Sequence, residues 1–236
     1  MNLDLGEKWQ QSYMGLKYHM EEALIENNLY PKYASSCPIV ALFSKKYYNE
    51  INNLNHDKIY DYCFIGSIND CYEKRIWVIN FAKKYFTSNS IFINTYNDPK
   101  WIPLGNYDKS NQNLGFNPKK MVDNQSKKAQ YRVVDENKFY FQTMCQSKFV
   151  LCPSGDGPWS FRFYETLMCK SIPIVETYHH TYRTKEESKI KYQYILSNNI
   201  EQNKEIPYDD LVNKNTLIFN NFHLLDKSQK YFNLSN

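Results

Sequence analysis

Arg162 and Glu165 stand three residues apart, directly behind the small-residue loop Pro153-Ser-Gly-Asp-Gly-Pro-Trp-Ser160. A planar guanidinium can make two charge-assisted bonds to phosphate oxygens, and a carboxylate one turn along the same helix face can accept from a hydroxyl of the same ligand. The loop adds complementary parts. Gly155 and Gly157 let backbone approach a ligand closely, Ser154 and Ser160 carry hydroxyls, and Asp156 adds a carboxylate. Ser160 suits the N-cap of the helix that carries Arg162, whose free N–H groups favour an anion. A cation in the first turn opposes the helix dipole, and a bound phosphate compensates that. The ordinary alternative is a surface Arg/Glu pair after a Gly-Pro turn.

These residues need a scaffold that holds a loop at a sheet edge. Phe149–Cys152 reads as a strand, Ser160–Cys169 as a helix and Ile172–Val175 as a second strand. Upstream, Tyr60–Gly66 reads as a strand ending in glycine. A helix over Glu73–Phe86, with Ile76, Ile79, Phe81 and Ala82 inward, and a strand over Ser90–Asn94 follow. Two β-α-β units of this kind specify an α/β fold, a Rossmann-like, mostly parallel sheet with flanking helices and a polar site at its carboxyl edge. Gly66, between strand and helix, is either a ligand-loop residue or a plain turn, because the full G-x-G-x-x-G pattern is missing.

The rest of the chain divides around that core. Residues 1–58 read as a helical and irregular extension or a reduced N-terminal part, with Leu16, Met20, Ala23 and Leu24 on one helical face. Pro38–Phe43 is a short strand or a helix start. Residues 59–200 form the expected Rossmann-like domain, and 201–236 a C-terminal helix or tail. Between Asn97 and Lys128 no period survives, a length of loop that usually covers a site. Val133–Met144 reads as a helix, Glu186–Leu196 as another, and Asp209–Leu211 as a turn before a last helix from Asn213.

Composition narrows the classes of function. The formal charge of +4 is mild, and although Asn117–Lys148 is locally basic, no lysine/arginine block argues for nucleic acid. Six cysteines without a close pair read as reduced, buried thiols of an intracellular protein. No apolar run reaches the length of a membrane span, so the chain is expected to be soluble, cytoplasmic or otherwise intracellular, with any membrane association made through a partner. His179 and His180 are adjacent and make a poor chelate, and no Asp-x-Asp is present, so no metal site is expected.

Lys148–Glu176 resembles the signature of the exostosin-type glycosyltransferases. The matching residues are Leu151-Cys-Pro-Ser-Gly155, Ser160-Phe-Arg-Phe-Tyr-Glu-Thr-Leu167 and Ile172-Pro-Ile-Val175. The resemblance implies the C-terminal, nucleotide-sugar-binding half of a GT-B enzyme, a hexosyl- or pentosyltransferase. It also implies inverting, metal-independent transfer from a nucleotide diphosphate sugar, usually a UDP-sugar, to a glycan or glycoprotein acceptor, with no cofactor. Gly66, Ser154, Gly155, Gly157, Ser160, Arg162 and Glu165 then form the donor site.

A GT-B enzyme carries its usual base in an N-terminal domain, for which 58 residues are too few. The acceptor side is therefore expected from a partner chain, or the protein is a catalytically reduced nucleotide-sugar-binding or assembly module. Bases within the chain are Asp70, Glu73, Asp156, His179 and His180, with Asp156 first because it shares the loop of the phosphate site.

Overall fold

Short runs rich in Ile, Val and Phe suit strands buried on both faces of a parallel sheet. Four of them fold that way in the computed structural model, which describes residues 43–68, 75–94, 134, 137–154, 160–176, 192–203 and 207–224. The strands are β1 (Tyr60–Gly66), β2 (Ile91–Asn94), β3 (Ser147–Leu151), β4 (Ile172–Val175) and β5 (Ile195–Leu196). They form one sheet in the order β2-β1-β3-β4-β5, and every neighbouring pair is parallel. The architecture is α/β and Rossmann-like.

The described helices are α1 (Lys45–Asn52), α2 (Ile76–Tyr85), α3 (Lys138–Cys145), α4 (Phe161–Met168) and α5 (Tyr208–Phe222), with a 3₁₀ turn at Ile200–Asn203. Side chains alternate across the sheet. Cys63, Ile65, Ile91, Ile93, Val150 and Val175 face one layer, where Tyr47 and Ile51 of α1, Phe141 of α3, Leu167 of α4 and Phe219 of α5 join them. Phe64, Phe92, Leu151, Ile172 and Ile174 face the other layer, against Val78, Ile79, Phe81 and Ala82 of α2. Each fully buried large apolar side chain contributes roughly 1.5–3 kcal/mol of transfer free energy.

Several details differ from the sequence expectation. Phe43 and α1, read as part of a lead-in, pack into the same core as the sheet, and Phe43 forms a parallel bridge with Leu224. Ile76 is exposed, and Val78 takes the inward place on α2. Ile195–Leu196 is an edge strand on β4 instead of the end of a helix. Asp209–Leu211 is the first turn of α5, where Asp209 and Asp210 complement the helix dipole. The face at Leu16–Leu24, Pro38 through Leu42, the aperiodic stretch after Asn97 and the helix start at Glu186 lie outside the described residues.

Candidate functional site

The strand order reverses between β1 and β3. The chain leaves β1 for α2 on one face and leaves β3 for α4 on the other, the arrangement that in such sheets puts a crevice at the carboxyl edge, here beside Gly66 and Ser154. That switch point is where open α/β sheets bind ligands.

Arg162, second residue of α4, is buried, and its Nη2 donates to Ile65 O of β1 at 2.7 Å. Its guanidinium lies over the Phe64 ring, 5.1 Å from the centroid. Gly66 makes this reach feasible. A Cβ built there would stand 2.5 Å from Arg162 Nη2 and 3.2 Å from Phe64 Cζ. Arg162 Nε is buried with no partner among the described residues, and so are the hydroxyls of Ser154 and Ser160. Ser160 does occupy the N-cap position of α4, but its side chain makes no capping bond.

Glu165 lies deeper. It is 1% exposed, and Tyr140 of α3 donates its hydroxyl to Oε2 at 2.6 Å. Beside it, Cys152 and Cys63 are pushed up to about 12 by burial, which keeps both thiols protonated and inert. Among the described residues Cys63, Cys145, Cys152 and Cys169 are free, buried thiols.

Three residues that sequence reasoning did not single out complete the edge. Arg75, immediately before α2, donates from Nη1 to Ser67 O at 2.8 Å and from Nε to Ser154 O at 3.2 Å. Asn94, last residue of β2, accepts from Ile68 N at 2.9 Å and donates to Ile68 O at 3.2 Å. Glu176, just after β4, accepts from Ser154 N at 3.0 Å. Position alone is the available signal: each stands at the carboxyl end of a strand or the start of the next helix.

Thus Gly66, Ser154, Ser160, Arg162 and Glu165 come together around one end of the sheet, Glu165 below the others. Gly155, Asp156 and Gly157, with Asp70, Glu73, His179 and His180, lie outside the described residues. Among the described residues, no helix is long and apolar enough to cross a membrane.

The model of the Exostosin GT47 domain matches residues 20–213, well over half of the chain. No curated protein matches the chain itself.

Proposed function

The chain belongs to the exostosin GT47 family and is a glycosyltransferase, and on that premise we propose that it draws on a nucleoside diphosphate sugar, UDP-linked in the first instance. The sugar passes with inversion to a glycan or protein acceptor, without a metal ion or cofactor. The observation that carries this reading is the set of buried polar groups at the β1/β3 crevice, Arg162 Nε and the Ser154 and Ser160 hydroxyls, which have no partners among the described residues. Each such group costs roughly 1–3 kcal/mol while unsatisfied. A diphosphate supplies acceptors for all three.

In this reading Arg162 pairs with the diphosphate, and the backbone of Ser154, Gly155 and Gly157 lines it. The chemical burden of the transfer is stabilising the departing diphosphate, which fixed donors and positive charge do in a site shielded from water. Glu165 accepts from a ribose or sugar hydroxyl, in competition with the Tyr140 hydroxyl that holds it in the free protein. The base that takes the acceptor proton is Asp156 first, then Asp70, Glu73, His179 or His180, or a group in the lead-in or on a partner chain.

Calorimetric titration with UDP, GDP and UMP, joined to a donor-hydrolysis screen across nucleotide sugars, tests the proposal. Diphosphates should bind well above the monophosphate, and Arg162→Ala should remove that preference. No binding at millimolar ligand to the folded protein would sink the reading. Binding without hydrolysis of any donor would replace the enzyme by a binding module. Hydrolysis retained in Asp156→Asn would make Asp156 a loop residue and move the base elsewhere in the chain's lead-in or to a partner.

A further inference from the structure

We infer that Arg75 is a positioning residue that clasps the loops after β1 and β3 into one preset unit, an inference that rests on the proposed reading of their crevice as the donor site. The two loops belong to different α/β units and leave the sheet toward opposite faces. Each has a tether of its own: Asn94 grips Ile68 through two hydrogen bonds from the β2 side, and Glu176 holds Ser154 N from the β4 side. These tethers fix each loop to its outer neighbour and leave the distance across the crevice open. Arg75 fixes that distance. Its guanidinium donates at once to Ser67 O and Ser154 O, at 2.8 and 3.2 Å, from two nitrogens of one rigid plane.

The sign of the arrangement matters. Arg75 donates to carbonyls of the loops, whereas Arg162, which reaches from α4 to Ile65 O of β1 through Nη2, retains a buried Nε–H without a partner among the described residues. One arginine sets the width and the other keeps a donor for what enters. Presetting the width removes loop ordering from the cost of binding. It also differs from a contact with the reacting atoms, whose removal would be felt in the transition state alone.

Hydrogen exchange of the free protein tests the clasp without any ligand. The amides of Ile68 and Ser154 are the reporters, since each is held by a side chain of its own tether. In Arg75→Gln both should exchange faster together, by about tenfold, as expected for losing hydrogen bonds to a charged group. Amides of Phe64 and Val150 inside the strands should keep the parent rate. Acceleration of one reporter alone, of neither, or of the strands in equal measure overturns the clasp. Arg75→Lys keeps the charge without the fork and should behave like Arg75→Gln; full recovery in Lys would assign the effect to charge and overturn it as well.

Donor hydrolysis provides the functional arm. Arg75→Gln should raise KM about tenfold with a smaller change in kcat, and added guanidinium ion should reverse part of the rise. A fall in kcat at unchanged KM would make Arg75 a transition-state contact instead. If the parent binds no UDP, the donor-site reading falls, while the exchange arm still decides whether Arg75 joins the loops.

Discussion

The two edges of the sheet handle buried polar groups in opposite ways. At the amino edge, Lys58 Nζ donates to Cys145 O at 2.5 Å, Cys169 O at 3.0 Å and Ser171 Oγ at 2.9 Å, using all three of its hydrogens. Those carbonyls end α3 and follow α4, so one ammonium serves two helix C-termini. Ser171 Oγ lies 2.8 Å from both Met144 O and Ser147 O, and Ser147 Oγ donates to Thr143 O at 2.7 Å. At the carboxyl edge, Arg162 Nε, Ser154 Oγ and Ser160 Oγ have no such partners among the described residues. The groups around Lys58 offset their desolvation internally and serve the fold; in the proposed reading, Arg162 Nε and the two serine hydroxyls leave theirs to a ligand.

Arg162→Ala should break this contrast most severely. It removes the open donor and also strands Ile65 O, the acceptor of Nη2. Loss of one preorganised donor at a developing charge lowers rate roughly 10²- to 10³-fold. Donor hydrolysis should fall by at least about 100-fold in kcat/KM, with the drop in melting temperature kept modest. A variant that melts early and keeps activity per folded molecule would place Arg162 in the fold alone.

Lys58→Met applies the same logic to the other edge. Cys145 O loses its donor while Cys169 O keeps Ser171 Oγ at 3.2 Å, so stability should fall by about 1–3 kcal/mol in urea unfolding while UDP affinity of the folded fraction holds. The pH dependence gives a second readout. Burial lowers the Lys58 pKa to about 8, whereas the unfolded chain gives up this proton near 10.4. Between those values the unfolded state binds more protons, so this group adds stability as pH rises from about 8 to about 10.4 and its penalty is constant below. Cys63 and Cys152, raised by burial, act in the opposite direction above about pH 9. The measurement is therefore the difference between parent and variant, in which Cys63 and Cys152 cancel because neither is perturbed by Lys58. A difference that stays flat across that window would show Lys58 titrating normally.

Gly66→Ala sharpens the comparison from the backbone. The added methyl meets the tip of Arg162 at 2.5 Å, and that flexible tip can yield where β1 cannot. The guanidinium should leave Ile65 O, reducing donor hydrolysis roughly tenfold, with a stability change that stays near 1 kcal/mol. Equal losses in Gly66→Ala and in Gly66→Ala/Arg162→Ala, relative to their own parents, would show that the methyl acts by another route.

What the sequence made legible follows from the same physics. Cys63-Phe-Ile-Gly66, Phe149-Val-Leu-Cys152 and Ile172-Pro-Ile-Val175 are apolar on both faces and bounded by turn formers, so their strands could be read directly. Ile195–Leu196 is too short to show a period, and Tyr192 and Tyr194 beside it blur the pattern. Helix α1, with Phe43 just before it, does carry a spacing, Phe43, Tyr47 and Ile51, but its lysines and tyrosines mask it. At the site, Arg162 and Glu165 were visible because loop and helix flank them. Arg75 was not, since its described partners are backbone carbonyls, which every residue has and no sequence displays.

The smallest predicted effects test the contrast most directly, because they reverse sign between the edges. Ser154→Ala and Ser160→Ala each delete a buried hydroxyl that has no partner among the described residues, so each should leave the free protein as stable as the parent or more so, by up to about 1 kcal/mol. The same changes should weaken UDP binding, since a donor to the diphosphate disappears. Ser171→Ala deletes a hydroxyl that accepts from Lys58 and donates to the α3 end. It should lower stability by roughly 1–2 kcal/mol and leave UDP affinity unchanged. Urea unfolding with and without UDP measures all three. Loss of stability in the two carboxyl-edge variants would mean that their hydroxyls already have partners in solution, and the crevice would then lack the vacancy on which donor binding is argued.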